Sequence, residues 1–499
     1  CYCRQVWFLV RPARTQQTQA HREGQALGQV TDAGIAGAEN KRARVPLFSA
    51  FFMIYIFVSG GSFGIEEMVS SAGPGLTLLL LLLLPVVWAL PMALVASELG
   101  SALPENGGFY VWTRRGLGDF WGFQAGWWWS LAILVDTSLY IVLSATYLQN
   151  QIGFSDTLYY LLCWSIIAVF TAINILGIKI VAIGSSLFAI LIISPILVLG
   201  VVGIANWQFN PFTPMTPPGV DILGSDGALI LGLSIGMWMY SGYESMSTIA
   251  GEMENPQRII PRALMLALPF VAIMYLLPTA SSVAAFGHWD LFSVDSGTGK
   301  VSFVDIGRSL GGTALGHALL ASAVLGNLAL YLDYMASGAR PLQVLARDGL
   351  LPAALTRVSA RYQTPVLAIC LIAAINAMLI IGPFQSLVII DVLLTVSAYA
   401  LIFLAAVRLR YVEPDLPRPF KIPGGKHALT FLILPPMALI TFMIAITVVD
   451  QSVVLWGRDR FNVMGLEIGW YGLAGLIAIL SGPLLYPLLR RRYHRLAQP

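Results

Sequence analysis

Apolar runs of about twenty residues recur along the chain, parted by short polar stretches. At roughly 1.5 Å per helical residue, each is long enough to cross a hydrocarbon core of ~30 Å. The pattern gives twelve runs, at about 46–68, 74–100, 119–148, 157–177, 180–204, 227–251, 262–286, 313–339, 364–382, 384–407, 428–450 and 467–489. It therefore predicts an all-α membrane protein with twelve transmembrane helices forming one bundle.

Two runs are interrupted. In the first, the stretch "LFSAFFMIYIFV" passes without a break into "SGGSFGIEEM", Ser59 to Met68. Glycine costs a helix about 1 kcal/mol relative to alanine, so Gly60, Gly61 and Gly64 together are expected to unwind it. Unwound backbone inside a bilayer is tolerated only where it lines a cavity or is buried in protein. There the N–H groups that open the next half-helix suit an anion, and the carbonyls that close the previous one suit a cation. Gly60 and Gly64 also satisfy a GxxxG packing face, but packing alone leaves Glu66 and Glu67 unexplained. The sixth run, "LGLSIGMWMYSGYESMSTIAGE", holds Ser241-Gly242-Tyr243-Glu244 at its middle. Broken helices at corresponding positions of two halves point to a transporter built from inverted repeats. The GxSxG spacing Gly232–Gly236 in the same run lies inside an apolar helix, without the strand-to-helix turn that a hydrolase needs.

Composition agrees: of 499 residues 57% are hydrophobic and 11% charged, against about a quarter charged in soluble chains. The positions of the charges add an orientation. With the N-terminus in the cytoplasm, inner loops and tails hold 25 of the 29 basic residues, and outer loops hold only Lys300, Arg308, Arg458 and Arg460. The positive-inside rule then puts both termini in the cytoplasm of a cytoplasmic (inner or plasma) membrane. The net charge of +3 reports topology and contact with the lipid bilayer rather than nucleic acid. Cys1, Cys3, Cys163 and Cys370 form no disulfide framework or metal spacing, and no metal or cofactor is expected. Residues 1–44 are polar and aperiodic; they are expected to be a disordered cytoplasmic tail, and they stand outside the fold reading, their place in the native chain left open.

Three long motifs carry a resemblance. "LPENGGFYVWTRRGLGDFWGFQAGW" (Leu103 to Trp127), "WMYSGYESMSTIAGEMENPQRIIPRAL" (Trp238 to Leu264) and "GARPLQVLARDGLLPAALTRVSARYQTPV" (Gly338 to Val366) resemble signatures of the amino acid–polyamine–organocation permeases, in the same order. "GGSFGIEEMVSSAGP" and "RYVEPDLPRPFKIPGG" are most similar to the branch with plant polyamine-uptake transporters, bacterial relatives and L-type amino acid transporters. The resemblance implies a LeuT-type fold: a five-plus-five inverted-repeat core over residues 45–410, then two additional helices and a cytoplasmic C-terminus over 411–499. It implies no enzymatic chemistry, and a small-molecule substrate at the midplane. A substrate carboxylate would meet N–H groups near Ser62, Phe63 and Gly64, and an amine the carbonyls near Val58, Ser59 and Tyr240. The unwound turn, Gly60 and Gly61 included, faces Ser241 and Gly242 across the site, with Trp238 and Tyr243 as gates. Gly61-Ser62-Phe63-Gly64 has one residue more than the family's Gly-Ser-Gly, so the register of the turn is open by one.

A charge near the membrane centre costs roughly 2.5–3.5 kcal/mol even on permissive scales, so each needs a reason. The candidates are Glu66, Glu67, Glu98, Asp136, Glu244, Asp333 and Asp391. Glu67, Glu98 and Asp391 fall near helix ends, where a structural role is as good a reading. Asp333 suits a buried hydrogen bond with Asn327 or Tyr334. Asp136 is expected on the substrate site, and Glu66 and Glu244 as proton-coupling candidates. The fifth run carries no lysine of the kind some proton-coupled family members use there, which favours Glu244. The expected function is a secondary-active amino acid permease, proton-coupled, with a polyamine carrier as the alternative. On this reading Glu244→Gln abolishes the response of uptake to an imposed pH gradient in proteoliposomes and retains counterflow of labelled substrate.

Overall fold

The computed structural model describes residues 46–219, 228–252, 255–294, 299–382, 384–449, 460–463 and 466–496. The expected tail over residues 1–44 lies outside the described residues. The first apolar run yields helix α1 (Leu47–Val58) and, after a gap, α2 (Ile65–Ala72). Then follow α3 (Pro74–Ala102), α4 (Gly108–Leu117), α5 (Asp119–Ile152), α6 (Asp156–Leu176), α7 (Ile178–Ala205) and α8 (Ala228–Met239). A 3-10 turn over Ser245–Glu252 continues the line of the sixth run. The remainder is α9 (Pro256–Phe286), α10 (Phe303–Arg347), α11 (Val366–Leu379), α12 (Phe384–Val412), α13 (Gly425–Val449) and α14 (Trp470–Leu496). One hairpin departs from an all-helical chain: β1 (Arg460–Val463) pairs antiparallel with β2 (Leu466–Gly469), taking the first residues expected of the last helix.

Among the described residues, eight helices are long and apolar enough to cross a membrane, and Leu47–Val58, Val366–Leu379 and Gly475–Arg490 are shorter apolar helices. Leu82, Trp164, Val201, Phe431 and Leu484 are each at least half exposed. Large apolar side chains displayed at this density around a bundle suit lipid, not water. The interior is organised by α5, which packs against α10 and α12, while α10 also packs against α7. Ser302 starts α10 with a reciprocal capping box to Asp305.

The two interruptions touch each other. After Val58 the chain leaves the helix until Ile65, with Gly61 at φ +108° and Gly64 at φ +99°. These values are open to glycine at no cost and strained for other residues. Gly60 lies backbone to backbone on Gly326 of α10: a Cβ at Gly326 would sit 1.7 Å from the Gly60 carbonyl oxygen. In the sixth run α8 ends at Met239, and Gly242 follows at φ +106°. A Cβ there would sit 2.3 Å from the Phe57 carbonyl oxygen, so the second break is pressed against the end of α1.

The face rich in arginine is tied together by ion pairs. Tyr110 and Arg114 of α4 both bond Asp348, and Arg115 forks onto Glu413 at 2.8–3.1 Å. The Arg115 guanidinium holds the Glu413 carboxyl below its usual range. Glu98 is 3% exposed and accepts from Arg410 Nε at 2.8 Å and the Ile422 N–H at 2.9 Å, with Arg418 Nε at 3.2 Å. Its role is structural: it pins the segment after α12 onto α3. Arg410 and Arg418 spend their remaining N–H groups on carbonyls of that segment, as buried guanidinium requires.

The Gly60–Gly326 contact generates a test. Gly326→Ala forces two backbones apart, an overpacking cost of about 1–3 kcal/mol or more. The purified variant is expected to melt several degrees below wild type in detergent; an unchanged melting temperature would mean that the contact is not held.

Candidate functional site

Where the interruptions meet, a cavity opens between α1, the unwound turn, α5, α8, α9, α10 and α12. Its chemistry begins with the carbonyls that broken helices leave unpaired. Tyr334 of α10 donates its hydroxyl to the Phe57 carbonyl at 2.8 Å. The Tyr275 hydroxyl of α9 lies 2.8 Å from the Val58 carbonyl and 2.9 Å from that of Met239, its one hydrogen shared between the ends of α1 and α8. The Gly242 N–H donates to the hydroxyl of Tyr399 on α12 at 3.3 Å. Tyr275, Tyr334 and Tyr399 all line the cavity. Two helix C-termini, each carrying about half a negative charge, thus converge on one wall.

Two carboxylates add to that sign. Asp136 of α5 is 5% exposed and accepts from Tyr140 Oη at 2.6 Å and from Trp238 Nε1 at 3.1 Å. Asp391 of α12 is 4% exposed, with Thr395 Oγ1 at 3.5 Å and within electrostatic reach of Asp136. No lysine, arginine or histidine occurs among the described residues lining the cavity. The described lining is acidic, and Asp391, expected near a helix end, is buried on it. Tyr275, Tyr399 and Thr395 were not singled out by sequence, and Tyr334 only as a partner for Asp333; a tyrosine within an apolar run is equally suited to packing, and only contact with a broken helix end distinguishes the three tyrosines.

Of the expected site residues, Val58, Gly60, Gly61, Phe63, Asp136, Trp238 and Ser241 line the cavity. Trp238 is half-buried and stacked near Tyr140, centroids 6.3 Å apart, which fits a gate. The others lie elsewhere. Ser59 turns back on Gly61, accepting from its N–H at 3.2 Å, and Ser62 donates to the Met274 carbonyl at 2.5 Å. Tyr240 points away to the Leu81 carbonyl, 2.8 Å off, and Tyr243 is fully buried and off the cavity, so it is no gate there. Gly242 acts through close approach to Phe57, not as a lining residue. The expected amine ligand, the Val58 carbonyl, is engaged by Tyr275. Glu244 is fully buried off the cavity, beside the Tyr399 side chain, and accepts from Ser245 Oγ at 3.4 Å.

Glu66 is likewise buried and off the cavity. It takes the Gly64 N–H at 2.8 Å, Tyr147 Oη at 3.0 Å and the Phe303 N–H at 3.2 Å. The Gly64 N–H, expected to meet a substrate carboxylate, is therefore taken by the protein's own. Glu67 accepts from Ser293 Oγ at 2.6 Å and the Val294 N–H at 3.0 Å, holding the loop before α10. Asp333 is fully buried off the cavity; Tyr334 gives its hydroxyl to Phe57, and Asn327 donates its amide to Ala323.

Comparison with known proteins puts these features in a family. Residues 46–471 match the family described as amino acid permease. A polyamine transporter of Oryza sativa subsp. japonica is 32% identical over 428 residues, covering 84% of this chain and 77% of that protein. A polyamine transporter of Arabidopsis thaliana is 32% identical over 413 residues, covering 82% and 81%. A branched-chain amino acid permease of Bacillus subtilis (strain 168) is 26% identical over 453 residues, covering 86% and 88%.

The shared hydroxyl of Tyr275 makes a testable link between the two breaks. Tyr275→Phe leaves buried carbonyl oxygen unsatisfied, a cost of about 1–3 kcal/mol. The expected result is a lower melting temperature with retained membrane insertion, and no change would show that water replaces the hydroxyl.

Proposed function

As the chain belongs to the amino acid permease family, within the amino acid–polyamine–organocation permeases, and is a multi-pass membrane transporter rather than an enzyme, we propose that its substrates are di- and polyamines. The observation that carries this is the pair Asp136 and Asp391 on a single cavity whose described lining has no basic side chain. A polyamine brings two or more ammonium groups and no anion. It needs at least two acidic partners to offset the loss of water, and an isolated buried carboxylate needs a cation in turn. An amino acid brings a carboxylate that both aspartates repel. The names of the plant relatives agree with this reading.

The sequence by itself leaned towards amino acids, and that second reading keeps support from the bacillary branched-chain permease. The lining chemistry favours the polycation. Energetics favour it as well: each charge moved through 100 mV is worth about 2.3 kcal/mol, so a dication gains roughly 10³-fold accumulation without a coupled ion. Glu244 remains our candidate for proton coupling. It sits beside Tyr399, off the cavity and separate from its carboxylates, so proton and substrate need not compete for one group.

We further read the chain as twelve spans of LeuT type, with two inverted five-helix repeats, two added helices and both termini in the cytoplasm. Mutual contact of the breaks in the first and sixth runs, five runs apart, supports the repeat. Concentration of basic residues on the face of Arg114, Arg115 and Arg410 supports the orientation in a cytoplasmic or plasma membrane.

Thermal shift of purified protein across putrescine, spermidine and a panel of amino acids tests the substrate class, followed by labelled uptake into proteoliposomes. Polyamines are expected to stabilise the protein. Asp136→Asn and Asp391→Asn are each expected to weaken spermidine competition by about tenfold or more, equivalent to 1.4 kcal/mol. Stabilisation by neutral amino acids and not by polyamines would overturn the proposal.

A further inference from the structure

The acidic cavity wall is matched by an unusual arrangement at the opposite end of the first interruption. The half-helix α2 begins at Gly64, and a helix start turned towards a cavity is where an anion ordinarily binds. That end lies beside the cavity. Phe63, the preceding residue, is part of its wall, and a side chain begun at Gly64 would come within 3.5 Å of the Trp238 ring. Yet the Gly64 N–H donates to Glu66, two residues on. The Glu66 carboxylate is fully buried and fixed from three elements, by Gly64, by Tyr147 of α5 and by the Phe303 N–H of α10. Tyr147 also packs edge-on against Phe63, centroids 5.6 Å apart, which links the carboxylate to the wall.

We infer that Glu66 is a specificity-determining residue: its carboxylate occupies the anion-accepting start of α2, and so excludes substrates that carry a carboxylate of their own. The inference rests on the polyamine reading and names the residue that enforces it. With Glu66 in position, an amino acid entering the cavity meets a like charge at the helix start as well as at Asp136 and Asp391. The corresponding decarboxylated amine meets only attraction. This is discrimination by an unfavourable contact built against the competitor, added to favourable ones made with the preferred substrate.

Matched pairs that differ by one α-carboxylate isolate the effect: cadaverine against lysine, and agmatine against arginine. Each competes with labelled spermidine for uptake by the full chain in proteoliposomes. Wild type is expected to prefer the decarboxylated member of both pairs. Glu66→Gln keeps the shape and removes the charge, and Glu66→Ala empties the position. Both are expected to narrow the preference by about tenfold or more through a gain for lysine and arginine. Glu67→Gln, whose carboxylate faces the loop at Ser293, is expected to leave the ratio where it was. If Glu66 only staples three elements together, its variants weaken both members of a pair equally, and that unchanged ratio overturns the inference while leaving the polyamine reading intact. A wild-type ratio near one overturns both. Should the alanine variant fail to fold, the glutamine variant alone decides.

Discussion

A helix broken inside a membrane leaves carbonyl oxygens that water cannot reach, and in this protein the tyrosine hydroxyls of Tyr275 and Tyr334 answer two such ends at once. Each unsatisfied carbonyl at that depth would cost about 1–3 kcal/mol. The hydroxyls must therefore arrive at fixed positions, which requires α9 and α10 to be packed against both breaks. Glycine at positions 60, 242 and 326 makes that possible by letting backbone lie on backbone. Remove the side-chain-free contact and the tyrosines no longer reach; remove the tyrosines and the contact encloses unpaired polar groups. The breaks and their caps are one device.

The same device sorts charge. Ends of α1 and α8 bring partial negative charge to one wall, and Asp136 and Asp391 complete it, one from each of two helices that pack against each other. At the start of α2 the sign should reverse, and Glu66 cancels it from inside. On the proposed reading, a cavity that in outline suits a zwitterion is thus converted into one for cations, without a basic side chain among its described lining. The ion pairs of Glu98 with Arg410 and Arg418, and of Arg115 with Glu413, lie outside this region. They bind the arginine-rich face and the segment after α12 into a fixed frame.

Much of this was legible in the chain. Apolar runs of membrane length fixed the class, because a lipid solvent leaves a spanning segment few alternatives to a helix. Three glycines within six residues of an apolar run, and a second Ser-Gly before a glutamate, marked where the helices fail, because packing alone leaves the adjoining glutamates unexplained. Asp136 was legible as a cavity residue for a similar reason: a carboxylate mid-run must have a use. What remained hidden was direction. Asp391 stands near the start of its run, and only the packing of α12 against α5 brings it beside Asp136. Glu66, two residues past the unwound turn, was legible only as a proton-coupling candidate; its turn back onto the Gly64 N–H depends on Tyr147 and Phe303, 81 and 237 residues away in the chain. Ser62, Tyr240 and Tyr243 sit in the right segments and face the wrong way, since an unwound turn has no period from which a face can be read. The sequence by itself determined that two helices break and that carboxylates gather near the breaks, because both are costs local to a run. Which carboxylate lines the cavity, and which is consumed by the protein, was decided by tertiary contacts between helices distant in the chain.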